Sequence, residues 1–195
     1  FIADEVQPGF ARTGQAFFGF ARHGIVPDMI TMGKPMGNGI PISGLAAKED
    51  VLAAFSDKLP YFNTFGGNPV SIAAAQAVLK YIKDENLQEH CKKAGAALLK
   101  ALKEVQERHP ESVGDVRGAG LFLGFEFVKN DGNKTPDKDM ALNVIEMLRD
   151  EHILTSVIGH YGNILKLRPP MVFSENDIDW FATSLDKCIT KLENK

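Results

Sequence analysis

The sequence predicts an α/β chain in two parts, and three observations carry that prediction. Residues 1 to 65 are rich in Gly and Pro and hold short apolar runs split by turn signals. Two helical stripes then follow back to back, and beyond Val113 strand-like alternation returns with helical patterns interleaved. A boundary falls near residue 85, separating residues 1–85 from a strand–helix–strand module over residues 86–195.

The runs Phe1 to Ala3, Met29 to Met32 and Ile42 to Ala46 suit strands buried in a sheet that helices cover. Asn68-Pro69 then supplies an N-cap and a first-turn proline, and Val70, Ala73, Ala74, Ala77, Val78 and Tyr81 recur at helical spacing. The next helix sets Leu87, Cys91, Ala94, Leu98, Ala101, Leu102 and Val105 on one face and stops at Pro110. Arg117-Gly118-Ala119-Gly120 reads as a flexible turn, after which Leu121, Leu123, Phe125 and Phe127 alternate as in a strand. Asp131 to Asp137 is a polar loop. A helix carrying Ala141, Val144, Ile145 and Leu148 leads to strands at Ile153 to Ile158 and Ile164 to Leu167. Ser174-Glu175-Asn176-Asp177 has the form of a capping box and opens a last helix with Ile178, Phe181, Leu185, Ile189 and Leu192 inward.

The bulk properties narrow the function. With 44% hydrophobic and 24% charged residues the chain is globular, and its 22 basic and 25 acidic residues are mixed along its length. That mixture offers no footprint for nucleic acid or an anionic membrane, which leaves a small molecule as the expected ligand. Cys91 and Cys188 fall inside helical patterns without a Cys/His cluster, so they read as buried thiols in a reducing compartment. No apolar run reaches the ~20 residues of a membrane span, and cytoplasm is the expected location. The apolar start Phe1-Ile2-Ala3 has no polar lead-in, so the chain is expected to be a piece of a longer parent that begins in mid-strand.

Two segments carry candidate chemistry. Asp4 ends the first apolar run, where α/β sheets place their ligands, although a solvated loop acid is the plain alternative. In Met29-Ile30-Thr31-Met32-Gly33-Lys34-Pro35-Met36-Gly37-Asn38-Gly39 a lysine follows an apolar run inside a glycine-rich bend. Lysine in apolar surroundings needs a charge partner or becomes a nucleophilic amine, and the alternative is a surface lysine in a turn. A phosphate-binding P-loop is excluded by the spacing and by Pro35. Gly118-x-Gly120-x-x-x-Gly124 is one residue off a dinucleotide fingerprint and lacks its strand–turn–helix context.

Asp4-Glu5-Val6-Gln7-Pro8-Gly9-Phe10-Ala11-Arg12-Thr13-Gly14 resembles the D-E-V-Q-x-G-F-x-R-T-G signature of class III aminotransferases, and the Gly33 to Gly39 bend follows at the family's distance. Tyr61 to Pro69, Val116 to Leu121 and Leu165 to Met171 resemble later family blocks in the same order. The resemblance covers the whole chain but only the family's C-terminal half. It implies a fold-type I, pyridoxal 5′-phosphate-dependent transferase, with residues 1–85 as the C-terminal part of the large, mainly parallel-sheet domain and residues 86–195 as the small C-terminal α/β domain. The bend is similar to that of the alanine–glyoxylate aminotransferase 2 and phospho-lyase subgroup, with Ile40 where phospho-lyase-like members often carry histidine.

The resemblance further implies roles. Asp4 would keep the cofactor's ring nitrogen protonated, Val6 would pack on one ring face, and Gln7 would bond the phenolic oxygen. Lys34 would hold the cofactor covalently and then act as the base at the substrate's α-carbon. Thr64 would bind the phosphate of the cofactor in the neighbouring subunit of a homodimer or higher oligomer. Arg168 would clamp a substrate carboxylate through a paired planar contact, with a surface arginine pairing to an acid as its alternative. Arg12 and Arg117 are expected to brace loops. The implied reaction moves an amino group from an amino acid or amine to a 2-oxo acid in a ping-pong cycle. Elimination of phosphate and ammonia from an amino-alcohol phosphate is the runner-up, and a non-catalytic oligomerisation or binding piece is the reading from another class. Other family contacts lie in the missing N-terminal half, so this chain alone is expected to be inactive.

Overall fold

The computed structural model describes residues 1–194 and divides into two compact units, Phe1–Glu89 and His90–Lys195.

In the first unit, β1 (Ile2–Asp4) pairs in parallel with β2 (Met29–Met32), and β3 (Gly44–Ala47) adds to β2 in antiparallel sense. The register sets Asp4 opposite Thr31, so β1 and β2 end together. The expected burial of this sheet is not met, since only Ala3 among its residues is buried and Leu45 is 53% exposed. The described residues of this unit leave both outer strands largely uncovered, and short apolar runs alone do not reveal that.

The helix α1 (Glu49–Ser56) lacks a side-chain cap and a buried residue, which explains why no stop-and-start signal announces it. The helix α2 (Pro69–Asp84) starts where Asn68 and Pro69 place it, and Asn68 Oδ1 accepts the Ser71 N–H at 3.0 Å. Its buried face is Ser71, Ala75 and Ile82, not the stripe through Val70 and Tyr81, which stand 72% and 53% exposed. The reason is polar. Ser71 Oγ donates to the Pro41 carbonyl at 3.0 Å, which turns that face toward the segment after Lys34.

The second unit follows the sequence more closely. The helix α3 (Leu87–Arg108) buries Leu87, Cys91, Ala94, Leu98, Leu102 and Val105, all of the expected stripe but Ala101. The strands β4 (Val113–Ala119), β5 (Phe122–Phe127), β6 (Ser156–Ile158) and β7 (Ile164–Leu167) form one antiparallel sheet in the order β4-β5-β7-β6. Leu123, Phe125 and Phe127 of β5 and Leu165 and Leu167 of β7 point into one core, which α3, α4 (Lys138–Asp150) and α5 (Glu175–Glu193) complete. The capping box at Ser174 is formed: its side chain accepts the Asp177 N–H while Asp177 accepts the Ser174 N–H at 2.8 Å.

Two expectations shift here. Arg117, Gly118 and Ala119 belong to β4 and not to a turn, which is confined to Gly120 and Leu121. The approach of α3 to that turn is close, because a Cβ on Gly95 would lie 2.3 Å from the Gly120 backbone. The strand expected from Ile153 narrows to Ser156–Ile158, since Ile153 N–H still closes α4 by donating to the Leu148 carbonyl at 2.8 Å. Both cysteines are buried thiols not joined in a disulfide, and burial pushes the Cys188 thiol up, which suits an unreactive core group. Among the described residues no helix is long and apolar enough to cross a membrane, and no His/Cys/Asp/Glu group has the arrangement of a metal site.

Candidate active site

Asp4 is the last residue of β1 and is exposed at the carboxyl end of the parallel pair. Its Oδ1 accepts the Val6 N–H at 3.1 Å and the Thr31 hydroxyl at 3.3 Å, so the neighbouring strand helps to fix it. Glu5 is directed differently. It is buried to 2% exposure, its N–H donates to the Thr31 carbonyl at 2.9 Å, and its carboxylate accepts backbone N–H groups from Gly19 at 2.7 Å and Phe20 at 2.8 Å.

At the end of β2 the chain bends through a 3-10 turn, Lys34–Met36. Lys34 is exposed and takes a φ of +29°, a strained conformation for a residue with a side chain. Met36 N–H donates to the Gly33 carbonyl at 2.9 Å and Ile40 N–H to the Gly37 carbonyl at 3.1 Å, so consecutive tight turns hold the lysine out. Gly37 is required, because a Cβ there would lie 2.1 Å from the Ile40 carbonyl oxygen. A Cβ on Gly33 would meet Val6 Cγ2 at 3.8 Å, which places the half-buried Val6 beside the lysine bend. The parallel pair therefore brings Asp4, Val6 and Lys34 to one edge, and Gln7 follows, exposed, in the same loop.

Thr64 lies apart in sequence, on the exposed loop before α2, where Asn63 Oδ1 accepts the Phe65 N–H at 3.2 Å and the Gly66 N–H at 3.0 Å. Arg168 belongs to the second unit. Its Nη1 donates to the carbonyls of Leu123 at 2.6 Å and Leu167 at 2.8 Å, and its guanidinium lies 3.4 Å from the Phe122 ring centroid. These contacts fix its plane, and it lines a cavity of about 510 Å³ together with Thr155, Lys166, Phe173 and Trp180. Arg117 bridges Asp115 at 2.6 Å and Glu126 at 2.5 Å across β4 and β5, which raises its already high pKa chiefly through the Glu126 bond. Arg12 is half-buried in the loop after β1.

Sequence reasoning does not single out Glu5 or Phe122. Glu5 shares its motif with Asp4, and alternation along a strand is the one signal that sends the two acids to opposite faces. Phe122 gives no signal beyond its place in an alternating strand.

A lysine in a glycine-bounded bend and an exposed carboxylate lie at the carboxyl ends of neighbouring parallel strands, where sheets of the α/β class place their ligands. This chain belongs to the class III aminotransferases, whose family description, Aminotransferase class-III, matches residues 1–189. It is 44% identical over 192 residues to the ethanolamine-phosphate phospho-lyase homolog 1 of Caenorhabditis elegans, covering 97% of this chain and 41% of that protein. It is 41% identical to the mitochondrial alanine–glyoxylate aminotransferase 2 homolog 2 of Arabidopsis thaliana, over 98% of this chain and 40% of that one. Among solved structures, a phospholyase from Arthrobacter in complex with phosphoethanolamine superposes with a TM-score of 0.93 at 39% identity, covering 97% of this chain and 44% of that one. A transaminase from the marine bacterium Virgibacillus superposes with a TM-score of 0.90 at 32% identity, over 100% of this chain and 45% of the other. The chain thus has the fold of fold-type I transaminases and spans about two fifths of the length of the curated relatives it matches.

The family depends on pyridoxal 5′-phosphate, and the residues present fit that cofactor. An exposed carboxylate ends one strand, an amine stands in the bend after the next, and the aliphatic Val6 side chain lies beside that bend.

Proposed function

We propose that the protein containing this chain is an aminotransferase that moves an amino group from an amino acid or amine to a 2-oxo acid, with Lys34 and Asp4 as its central pair. The observation that carries this reading is the placement of both residues at the carboxyl ends of β1 and β2, held there by the parallel register.

When bound, pyridoxal 5′-phosphate supplies an aldehyde for amine exchange and a ring that accepts electrons. The protein's share is positional and acid–base. Asp4, anchored through Oδ1, presents its carboxylate to the ring nitrogen and keeps a proton there. Lys34 would hold the cofactor and, as a free amine, would take the proton from the substrate's α-carbon. Val6 supports one ring face and Gln7 bonds the phenolic oxygen. Arg168, held over the Phe122 ring, takes the substrate carboxylate. Residues 1–85 serve as the cofactor-domain part and residues 86–195 as the small domain.

The test is borohydride reduction of the longest natural polypeptide that contains this chain, in the presence of the cofactor, followed by peptide mass mapping. The tag is expected on Lys34 and absent in Lys34→Ala, and a tag on another lysine refutes the assignment. Thr64 is proposed to reach the cofactor phosphate of the neighbouring subunit in a homodimer. Mixing Lys34→Ala and Thr64→Ala proteins should then restore activity in heterodimers, and no recovery in proven heterodimers refutes the shared site.

Elimination from an amino-alcohol phosphate is the second reading, favoured by the 44% identity to a phospho-lyase homolog and by the phosphoethanolamine-bound structural neighbour. Release of inorganic phosphate from ethanolamine phosphate without consumption of a 2-oxo acid selects it.

A further inference from the structure

We propose that Glu5 is a positioning residue for Asp4, a role that rests on the reading of Asp4 as the partner of the cofactor's ring nitrogen. A carboxylate buried to 2% exposure is costly unless charge-assisted hydrogen bonds compensate it. Both Glu5 oxygens are engaged: Oε2 accepts the Gly19 N–H at 2.7 Å and Oε1 the Phe20 N–H at 2.8 Å. These donors open the 3-10 turn Gly19–His23, so the side chain draws a distant part of the loop back beneath the strand end. The main chain is held on both sides as well. Glu5 N–H continues the β1–β2 ladder to the Thr31 carbonyl at 2.9 Å, and the Glu5 carbonyl accepts the Gly9 N–H at 3.2 Å.

The consequence falls on the neighbouring acid. Asp4 takes its direction from the Val6 N–H and the Thr31 hydroxyl, and Glu5 is the residue between Asp4 and Val6. Pinning Glu5 at its N–H, its carbonyl and its carboxylate fixes the peptide planes that aim the Val6 N–H at Asp4 Oδ1. Loss of the clamp lets Val6 turn, and the Asp4 carboxylate loses one of the two bonds on that oxygen. A residue that merely stabilises the loop would leave the cofactor's environment unchanged once the protein is folded.

The experiment measures pyridoxal 5′-phosphate affinity by titration, the absorbance maximum of the bound cofactor, and the melting temperature of the cofactor-free protein. It uses the longest natural polypeptide containing this chain, as wild type, Asp4→Asn, Glu5→Gln and the double variant. Glu5→Gln puts an amide N–H₂ against a backbone N–H donor, so the clamp is broken at nearly constant volume. The expected result is a folded Glu5→Gln protein with about tenfold weaker cofactor binding and a band displaced in the same direction as in Asp4→Asn. In the Asp4→Asn background the same change should add less than about twofold, because the two residues act through one contact. Wild-type affinity and spectrum in folded Glu5→Gln overturn the proposal, as does a full tenfold loss retained in the Asp4→Asn background. Glu5→Asp, which keeps the charge but withdraws it by one methylene, is measured in parallel and judged by the same two outcomes, so a Gln variant that fails to fold leaves the proposal testable. Wild-type affinity and spectrum in Asp4→Asn itself overturn the cofactor role of Asp4, and the Glu5 role with it.

Discussion

The two units of this chain are held together by different means. The second unit is a packed core in which Leu102, Phe125, Phe127, Leu165, Leu185 and Ile189 have no solvent exposure and three helices share one sheet. The buried apolar residues of the first unit are fewer, and half of Ala3, Phe10, Ala11, Ala75, Ile82 and Leu87 are alanines, while Phe62 and Phe65 stand 85% and 82% exposed. There the loops are fastened by directed polar contacts: Glu5 to Gly19 and Phe20, Asn63 to Gly66, Asn68 to Ser71, and Ser71 to Pro41. Packing gives the second unit its shape, and directed bonds such as those of Arg168 and His109 add to it at the margin of that core. Hydrogen bonds give the first unit orientations at its strand ends, where Asp4 and Lys34 stand.

The sharpest way to break this contrast is to truncate one aromatic in each unit. Phe125→Ala should cost about 3–5 kcal/mol in denaturant unfolding, whereas Phe62→Ala should change stability by about 0.5 kcal/mol or less. Comparable losses would show that Phe62 is packed in solution. Next in size is Gly95→Ala, where the added methyl meets the Gly120 backbone and forces α3 away from the β4–β5 turn. A cost of about 1–3 kcal/mol is expected from thermal melts, and a neutral result would show that the helix has room to move. Removing the cap of α5 in Ser174→Ala should cost about 1 kcal/mol, with an unchanged unfolding midpoint contradicting the observed capping box.

The smallest effect is a pH dependence seated in the second unit. His109 is buried between Asp186, 3.0 Å from its Nε2, and Glu193, 2.7 Å from its Nδ1, while Arg108 donates to Asp186 at 2.7 Å. Burial pushes the Asp186 carboxyl up, but the bonds from Arg108 and His109 outweigh it and hold the group below its ordinary value. A depressed folded value means that the carboxylate contributes stability above its unfolded pKa of about 3.9 and loses it as pH falls through the lower folded value. Unfolding free energy followed from pH 6 downward should therefore drop in the acid range less steeply in Asp186→Asn than in wild type, and parallel curves would remove Asp186 from the account.

The sequence is most readable where packing is periodic. The stripe of α3, the alternation of β5 and the cap of α5 each repeat a local signal that burial then uses. It is least readable where tertiary polar contacts decide. The buried face of α2 is chosen by Ser71 bonding to Pro41, and β4 runs on through Gly118 because β5 pairs with it. Asp4 and Lys34 are visible as candidates through their motifs. Their shared edge is a property of the β1–β2 register, and no local pattern encodes a register between strands so far apart in the chain. Glu5 is hidden for a related reason, since its partners Gly19 and Phe20 carry no side-chain signal of what they bind.

The parallel pairing of β1 with β2 acts as a ruler with a coarse scale. Sliding β2 by one residue would turn Thr31 away from Asp4, and sliding it by two would restore the face but carry Lys34 about 6.6 Å along the strand. No intermediate setting exists. Insertions that leave the Glu5 contacts with Gly19 and Phe20 in place can therefore accumulate between the two strands without changing their pairing, whereas a change that altered the pairing would have to leap a whole step. The spacing of Asp4 and Lys34 along the strands is inherited as an integer.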